Sequence, residues 1–241
     1  MAGKSFLTFT RAMLLIILIG LLPTPAIAAP IDFTQWTFEN DQTSGSPVPN
    51  LDLTGNAVAS RGSGLTIPAT GEFPVGFGGT GYSWSFQDWS TGTLDANDYF
   101  EFMVDLTNYG HITLSFDERR SGTGIHDFEV HYSTDGTNFT QIPATITNVP
   151  DDTNWRSHSF DLGSGTSVDL AIRGQPTVYF RIYGYNAEGA GGTWRVDNVT
   201  FNATTNSTAV TFSGLSAASP FAALTVGLLA AAGLVVLRKR K

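Results

Sequence analysis

The chain has 241 residues, 41 % of them hydrophobic and none of them cysteine, which excludes disulfides and thiolate metal sites. Residues 29–215 hold all 21 acidic residues but only seven of the 13 basic ones, all arginine, so this segment has a net charge of −14. Such a surface repels phosphate backbones, which argues against nucleic acid as a partner of the segment.

The first 28 residues show the order of regions found in an export signal. Lys4 and Arg11 precede the apolar run of residues 13–22, and Ala26 and Ala28 supply the small residues that a signal peptidase requires. The apolar run is too short to span a bilayer comfortably. The sequence therefore predicts a removable signal peptide over residues 1–28, with a retained N-terminal anchor as the alternative.

Residues 29–202 are typical of an all-β domain. Turn-forming residues recur every eight to twelve positions between short runs of β-branched and aromatic residues, the spacing of antiparallel sandwiches. Period-two alternation predicts strands at 31–38, 99–106, 111–116, 127–132, 178–183 and 194–201. Because no sustained helical period occurs, we expect a single antiparallel jelly-roll-like β-sandwich of about ten to twelve strands.

Two acidic residues follow the first predicted strand and one lies on the last. Glu39 and Asp41 occupy the first position, and Asp197 occupies the second. The first and last strands of an antiparallel sandwich are commonly neighbours, so these carboxylates can form an oxygen-only pocket of the kind that calcium accepts. The sequence predicts a structural calcium ion here, and solvated loop acids are the alternative.

An aromatic cluster follows in the chain. Tyr82, Trp84 and Phe86 alternate, and Trp89 lies just beyond them in a segment rich in Gly, Ser and Asp. Exposed aromatic rings surrounded by acids and amides are common in sugar-binding sites. Tyr82, Trp84 and Trp89 are therefore candidate ligand-binding residues, although Trp and Phe in a strand usually belong to the core.

Residues 117–124 combine two acids, two arginines and a Gly-x-Gly pattern. The adjacent charges are expected to pair with one another or with neighbouring loops. A phosphate-binding loop would need a helix start behind the glycines, and none is apparent. We interpret this segment as a structural turn.

The clearest hairpin signal lies after the strand at 127–132. Asp135-Gly136 stands between two apolar alternations, and this pair predicts a tight hairpin turn because both residues tolerate a positive φ. Residues 138–142 form the predicted return strand. Asp127, Glu129 and His131 share one face of this hairpin. Paired carboxylates on alternate strand positions can serve a glycosidase, but a hydrophilic outer face is the preferred interpretation.

The C-terminal region is predicted to leave the folded domain. Residues 203–216 form a polar spacer, and residues 217–241 contain the uncharged run 221–237 followed by four basic residues. A helix over that run just spans a bilayer, and its basic end stays in the cytoplasm while the body lies outside.

Four segments, residues 99–102, 115–124, 178–187 and 192–201, resemble bacterial cell-surface sandwich domains that precede PEP-CTERM-type sorting signals. The resemblance implies a three-part C-terminal signal that a membrane transpeptidase of the exosortase kind reads. This chain has Ala218-Ser219-Pro220 where that family has its Pro-Glu-Pro motif.

The sequence thus predicts an exported, surface-anchored, non-catalytic module of the cell envelope or extracellular matrix that contacts polysaccharide. It predicts no catalytic residue, and calcium is the one cofactor considered. Two alternatives stay open: a secreted glycoside hydrolase or lyase that uses Asp127 and Glu129, and a purely structural envelope protein.

Overall fold

A computed structural model describes residues 29–39, 47–143, 146–150, 154–163 and 165–205. The chain divides into two compact units, residues 1–206 and 207–241, and every described residue belongs to the first. The predicted signal peptide, the uncharged run and the basic tail lie outside the described residues. Within the described part of the chain, no helix is both long and apolar enough to cross a membrane.

The described residues form eleven strands, one short α-helix and one 3-10 turn at Phe77–Gly79. The strands are β1 (Ile31–Trp36), β2 (Leu51–Asp52), β3 (Val58–Arg61), β4 (Trp84–Phe86), β5 (Tyr99–Val104), β6 (Tyr109–Arg120), β7 (Asp127–Ser133), β8 (Thr140–Gln141), β9 (Arg156–Asp161), β10 (Val178–Tyr185) and β11 (Trp194–Thr205). The helix, α1, spans Ser167–Ile172, and the Thr166 hydroxyl caps it by accepting from the Asp169 N–H.

These strands make two antiparallel sheets. The first sheet has the order β2-β1-β11-β6-β9. β4 also belongs to it and pairs with the same edge of β11 as β1 does, next to β1 along the strand. The second sheet has the order β3-β5-β10-β7-β8. The fold is therefore an all-β, antiparallel, jelly-roll-like sandwich, as the sequence predicts.

All six strands predicted from alternation are present, and their ends differ. β6 continues to Arg120 and β11 to Thr205, so residues 203–205 belong to the sheet and not to the predicted spacer. Ala203 is fully buried opposite Ile31. The hairpin between β7 and β8 turns at Gly136, whose φ is +71°, and its return strand is shorter than predicted, covering Thr140–Gln141.

The core between the sheets is largely aromatic. Trp84 packs against Phe86, Phe100 and Phe102, and Trp194 packs edge-on against Trp89 at a ring-centroid distance of 5.1 Å. Large rings bury much apolar area each, and tilted or edge-to-face pairs add to that stabilisation. The chain lacks disulfides, so this packing is a main source of its stability.

Gly184 makes room for two of these tryptophans. A Cβ at this position of β10 would lie 2.8 Å from a Trp89 ring carbon and 2.9 Å from a Trp194 ring carbon. Gly184→Ala should therefore overpack the core and lower stability by about 1–3 kcal/mol. Thermal unfolding checks this: we expect the Tm to fall by about 3–10 °C. Gly189→Ala, where nothing lies within 4 Å of the added Cβ, is the control and should leave the Tm unchanged.

Asp98 gives the fold a specific pH dependence. Its buried carboxylate accepts the Ser90 N–H at 2.8 Å. Burial raises the pKa of Asp98 to about 6, the Ser90 N–H opposes that rise, and repulsion from Asp95 and Asp88 adds to it. The folded state thus holds this proton more tightly than the unfolded state, whose pKa is near 3.8. The stabilisation is complete below about pH 3.8 and is lost as the pH rises through about 6.

The variant Asp98→Asn isolates this contribution, because an amide does not titrate. We expect it to cost most stability near pH 4 and least near pH 7, with the wild-type-minus-variant Tm difference shrinking by about 2–5 °C between the two. Melting curves across that range test the sign. A difference that grows with pH would contradict the assignment.

Candidate functional site

The outer face of the second sheet carries a dense group of tyrosines and charged side chains, here called the tyrosine face. It forms because β5, β7 and β10 alternate strictly, with Phe, Val and Ile directed into the core. The outward side chains are Tyr99, Glu101 and Met103 from β5, Asp127, Glu129 and His131 from β7, and Tyr179, Arg181, Tyr183 and Tyr185 from β10.

Arg181 lies at the centre of this face. Its Nε donates to Glu101 Oε2 at 2.7 Å, and one terminal nitrogen donates to the Tyr183 hydroxyl at 3.2 Å. The guanidinium lies 3.8 Å from the ring centroids of both Tyr99 and Phe139, which are its stacking partners. Burial would lower the pKa of Arg181, but its hydrogen bonds to Tyr183 and Glu101 raise it. The guanidinium is therefore charged and held in one orientation.

Glu129 organises the second half of the face. One carboxylate oxygen lies 2.9 Å from His131 Nε2, and the other accepts the Tyr185 hydroxyl at 3.1 Å. Burial raises the pKa of Tyr185 to about 12, and its hydrogen bond to Glu129 contributes. The His131 ring also packs edge-on against Tyr183 at 4.9 Å. The tyrosine face is thus a connected set of side chains whose rotamers fix one another.

Asp127, the other carboxylate of the predicted acidic face, is also engaged. Its two oxygens accept the Asn186 amide at 2.9 Å and the Asn148 N–H at 3.0 Å. Asp127 and Glu129 therefore each have separate partners supplied by the protein. This is the arrangement of positioned polar groups on a hydrophilic face, the interpretation preferred from the sequence.

The predicted aromatic platform does not form as expected. Trp84 and Trp89 are each only 1 % exposed and lie in the core, where Trp89 Nε1 donates to the Phe86 carbonyl at 2.9 Å. Tyr82 alone of the three lies on the surface, at 43 % exposure. Trp84 and Phe86 alternate because both lie on the side of β4 that faces the core, where burial of an aromatic ring is favourable.

Two of the three predicted calcium ligands do come together. Glu39 lies against Gly81, leaving no room for a Cβ there, and a Cβ on Gly76 in the same loop would lie 2.6 Å from Asp197 Oδ2. Burial raises the pKa of Asp197 to about 6, and repulsion from Glu39 adds to the rise. Asp41 lies outside the described residues. Among the described residues, no group of three or more His, Asp or Glu side chains is arranged to hold a metal, so calcium stays a prediction.

Asp197 also has a role of its own. Its oxygens accept the Phe77 N–H and the Asn198 N–H, both at 2.7 Å. It thereby ties the loop around Gly76 to the outer face of the first sheet. The neighbouring carboxylates of Glu39 and Asp197, of which Glu39 is exposed, suit a hard divalent cation. The hydrogen bonds of Asp197 are also satisfied without an ion by these two N–H donors.

The charged run at 117–120 is part of β6, and of the two predicted alternatives the structure shows the second, because Glu118 and Arg120 have partners in neighbouring segments and not in each other. Glu118 points into the core, accepts Trp194 Nε1 at 2.9 Å and lies 3.7 Å from Arg156. Arg120 also points inward and donates to the Gly124 and Ile125 carbonyls at 3.1 and 3.0 Å. The predicted turn follows at Ser121, whose carbonyl accepts the Gly124 N–H.

The sequence predicted that Asp127, Glu129 and His131 share one outer face, but the tyrosines and Arg181 beside them were not predicted. A signal was present in β10, where Tyr179, Arg181, Tyr183 and Tyr185 occupy every second position between apolar residues. Tyrosine at successive outward positions favours a surface that is partly apolar and partly hydrogen-bonding.

Comparison with known proteins gives resemblances of fold. No protein-family model matches the sequence, and no curated protein matches it closely. The K2 cleaved adhesin domain of Lys-gingipain is 18 % identical over 73 % of this chain and 100 % of that domain, with a TM-score of 0.44. The CBM22-1 xylan-binding domain from Paenibacillus barcinonensis Xyn10C is 12 % identical over 75 % of this chain and 99 % of that domain, with a TM-score of 0.43.

Proposed function

We propose that this chain is a non-catalytic module of the cell surface that contacts polysaccharide through the tyrosine face. The observation that carries the proposal is the connected row of aromatic and charged side chains on β5, β7 and β10. Sugars have apolar ring faces and hydroxyl edges, so a protein binds them by combining aromatic surface with fixed hydrogen-bonding groups.

The geometry favours binding over catalysis at this face. Glu101, Arg181, Glu129 and His131 are each only 16–19 % exposed at the side chain, and each is held by a neighbour on the same face. Groups fixed in this way lose little conformational entropy when a ligand arrives, which is the advantage of a preorganised binding surface. The hydrolase alternative would use Asp127 and Glu129, whose oxygens already accept hydrogen bonds from the protein.

The surface location is part of the proposal and rests on the sequence of the two ends. A signal peptide at residues 1–28 would export the body, and the apolar segment within residues 217–241 would hold it at the envelope with its basic tail inside. A sorting transpeptidase is the proposed partner of that segment. The net charge of −14 over residues 29–215 suits a soluble domain outside the cell.

The proposal predicts that truncating the half-buried tyrosines of β10 weakens polysaccharide binding. Tyr179→Ala combined with Tyr185→Ala should lower affinity at least tenfold for whichever of a neutral β-glucan, xylan or galactan the wild type binds. Affinity electrophoresis or calorimetry on the full-length protein measures this. Ile67→Ala, which truncates an exposed apolar side chain outside the face, is the control. Absence of wild-type binding to every glycan would overturn the proposal.

A calcium ion bound by Glu39 and Asp197, with Asp41, would stabilise the corner between the first and last strands. About 1 mM calcium should then raise the Tm by about 5 °C relative to chelator. Glu39→Gln should remove most of this calcium effect, whereas Glu188→Gln, also exposed, should retain it. Equal wild-type melting temperatures with calcium and with chelator would exclude the ion.

A further inference from the structure

The outer face of the first sheet holds two arginines side by side. Arg195 of β11 is the direct cross-strand neighbour of Arg119 of β6, and on its other side it is the neighbour of Ser85 of β4. Residues directly opposite in antiparallel strands lie on the same face, with Cβ atoms about 5 Å apart. Ser85, Arg195 and Arg119 therefore form one row across three strands, here called the arginine row.

Like charges directly opposite destabilise a sheet. In the described part of the chain, neither Arg119 nor Arg195 makes an ion pair. The two nearest acids along the strands are used elsewhere, since Asp117 binds Ser157 and Asn198 while Asp197 binds the Phe77 and Asn198 N–H groups. Burial, and then repulsion from Arg119, lowers the pKa of Arg195. The row thus places two positive charges side by side on an acidic body, and Asp117 and Asp197 form the next row on the same face.

Two atoms of the row are buried and lack a hydrogen-bond partner among the described residues. They are Arg195 Nε and the hydroxyl of Ser85, a residue with 0 % exposure. Leaving such a group unsatisfied destabilises the folded state. Both lie on adjacent strands in the same register. An acceptor placed against the row would neutralise the paired guanidinium groups.

Aromatic side chains border the row. Phe77, which is 42 % exposed, packs edge-on against Trp155 at 6.0 Å, and its own N–H is bound by Asp197 of β11. Trp155 directly precedes Arg156, which pairs with Glu118, so the β6–β9 register continued by one residue places Trp155 opposite Arg119. Guanidinium donors and aromatic rings are thereby brought to one place.

We propose that the arginine row binds the carboxylate or sulfate groups of an acidic polysaccharide, with Trp155 and Phe77 against the sugar rings. The ligand class rests on the proposed function, but the site lies on the opposite sheet from the tyrosine face. Two forked guanidinium groups match a planar or tetrahedral oxyanion bidentately, which a single lysine cannot do.

The test measures binding of the full-length protein to polygalacturonate, which carries carboxylates, to dextran sulfate, and to neutral dextran of similar length. We expect the wild type to bind at least one acidic polymer and not neutral dextran. Arg119→Gln combined with Arg195→Gln should weaken that binding at least tenfold, and Trp155→Ala should weaken it too. Preference for one polymer identifies which oxyanion the site takes.

Three comparisons keep the test decisive. Arg61→Gln removes the same charge as Arg195→Gln but from the exposed edge strand β3, so it should bind like the wild type. Arg195→Lys keeps the charge and loses the fork, and it should bind with intermediate affinity. Without ligand, Arg195→Gln should raise the Tm, because it removes the repulsion and the buried unsatisfied Nε.

No wild-type binding to either acidic polymer would overturn the inference, as would unchanged affinity in the double variant. A fall in Tm for Arg195→Gln together with unchanged affinity would show that the pair is structural. The proposed function fails separately: neutral-glycan binding that depends on Tyr179 and Tyr185 should persist when Arg119 and Arg195 are replaced.

Discussion

The pairing of β11 on both of its edges is the constraint on which the rest of the structure depends. β6 occupies one edge over most of its length, while β4 and β1 share the other edge in succession. This sharing requires an irregularity, which lies at Asn198, a residue with φ of 49° next to a register shift. The bulge switches the parity of the strand, so Val196 and Val199 both face the core.

That bulge also decides what the outer face of the first sheet presents. Asp197 is directed outward just before it and holds the Phe77 loop through a backbone N–H. Arg195, two residues earlier, is directed to the same side beside Arg119. The two outer faces of the sandwich therefore differ in kind. On the second sheet opposite charges and tyrosines satisfy one another, whereas on the first sheet like charges stand together.

The architecture could be predicted from the sequence because strand alternation is local. The strands at 127–132 and 178–183 were predicted to within two residues of their observed ends. What could not be predicted depends on partners in other strands. The alternation of Trp84 does not say which side is the core, and the run at 117–120 does not show that Glu118 would meet Trp194 inside the sandwich while Arg119 would meet Arg195 outside. Only the register between β6 and β11 decides these contacts.

The position of β11 also has a mechanical consequence. Its last residue, Thr205, pairs with Tyr109, and Ala203 pairs with Ile31 at the opposite edge. Tension entering at Thr205 would run along a strand that is hydrogen-bonded on both sides, so it would load many bonds in parallel rather than opening them one after another. A force that separates Ile31 from Ala203, by contrast, would break the hydrogen bonds between β1 and β11 one after another, beginning at Ile31. The sandwich should therefore resist a pull through its C-terminal strand better than a pull that parts its first strand from its last.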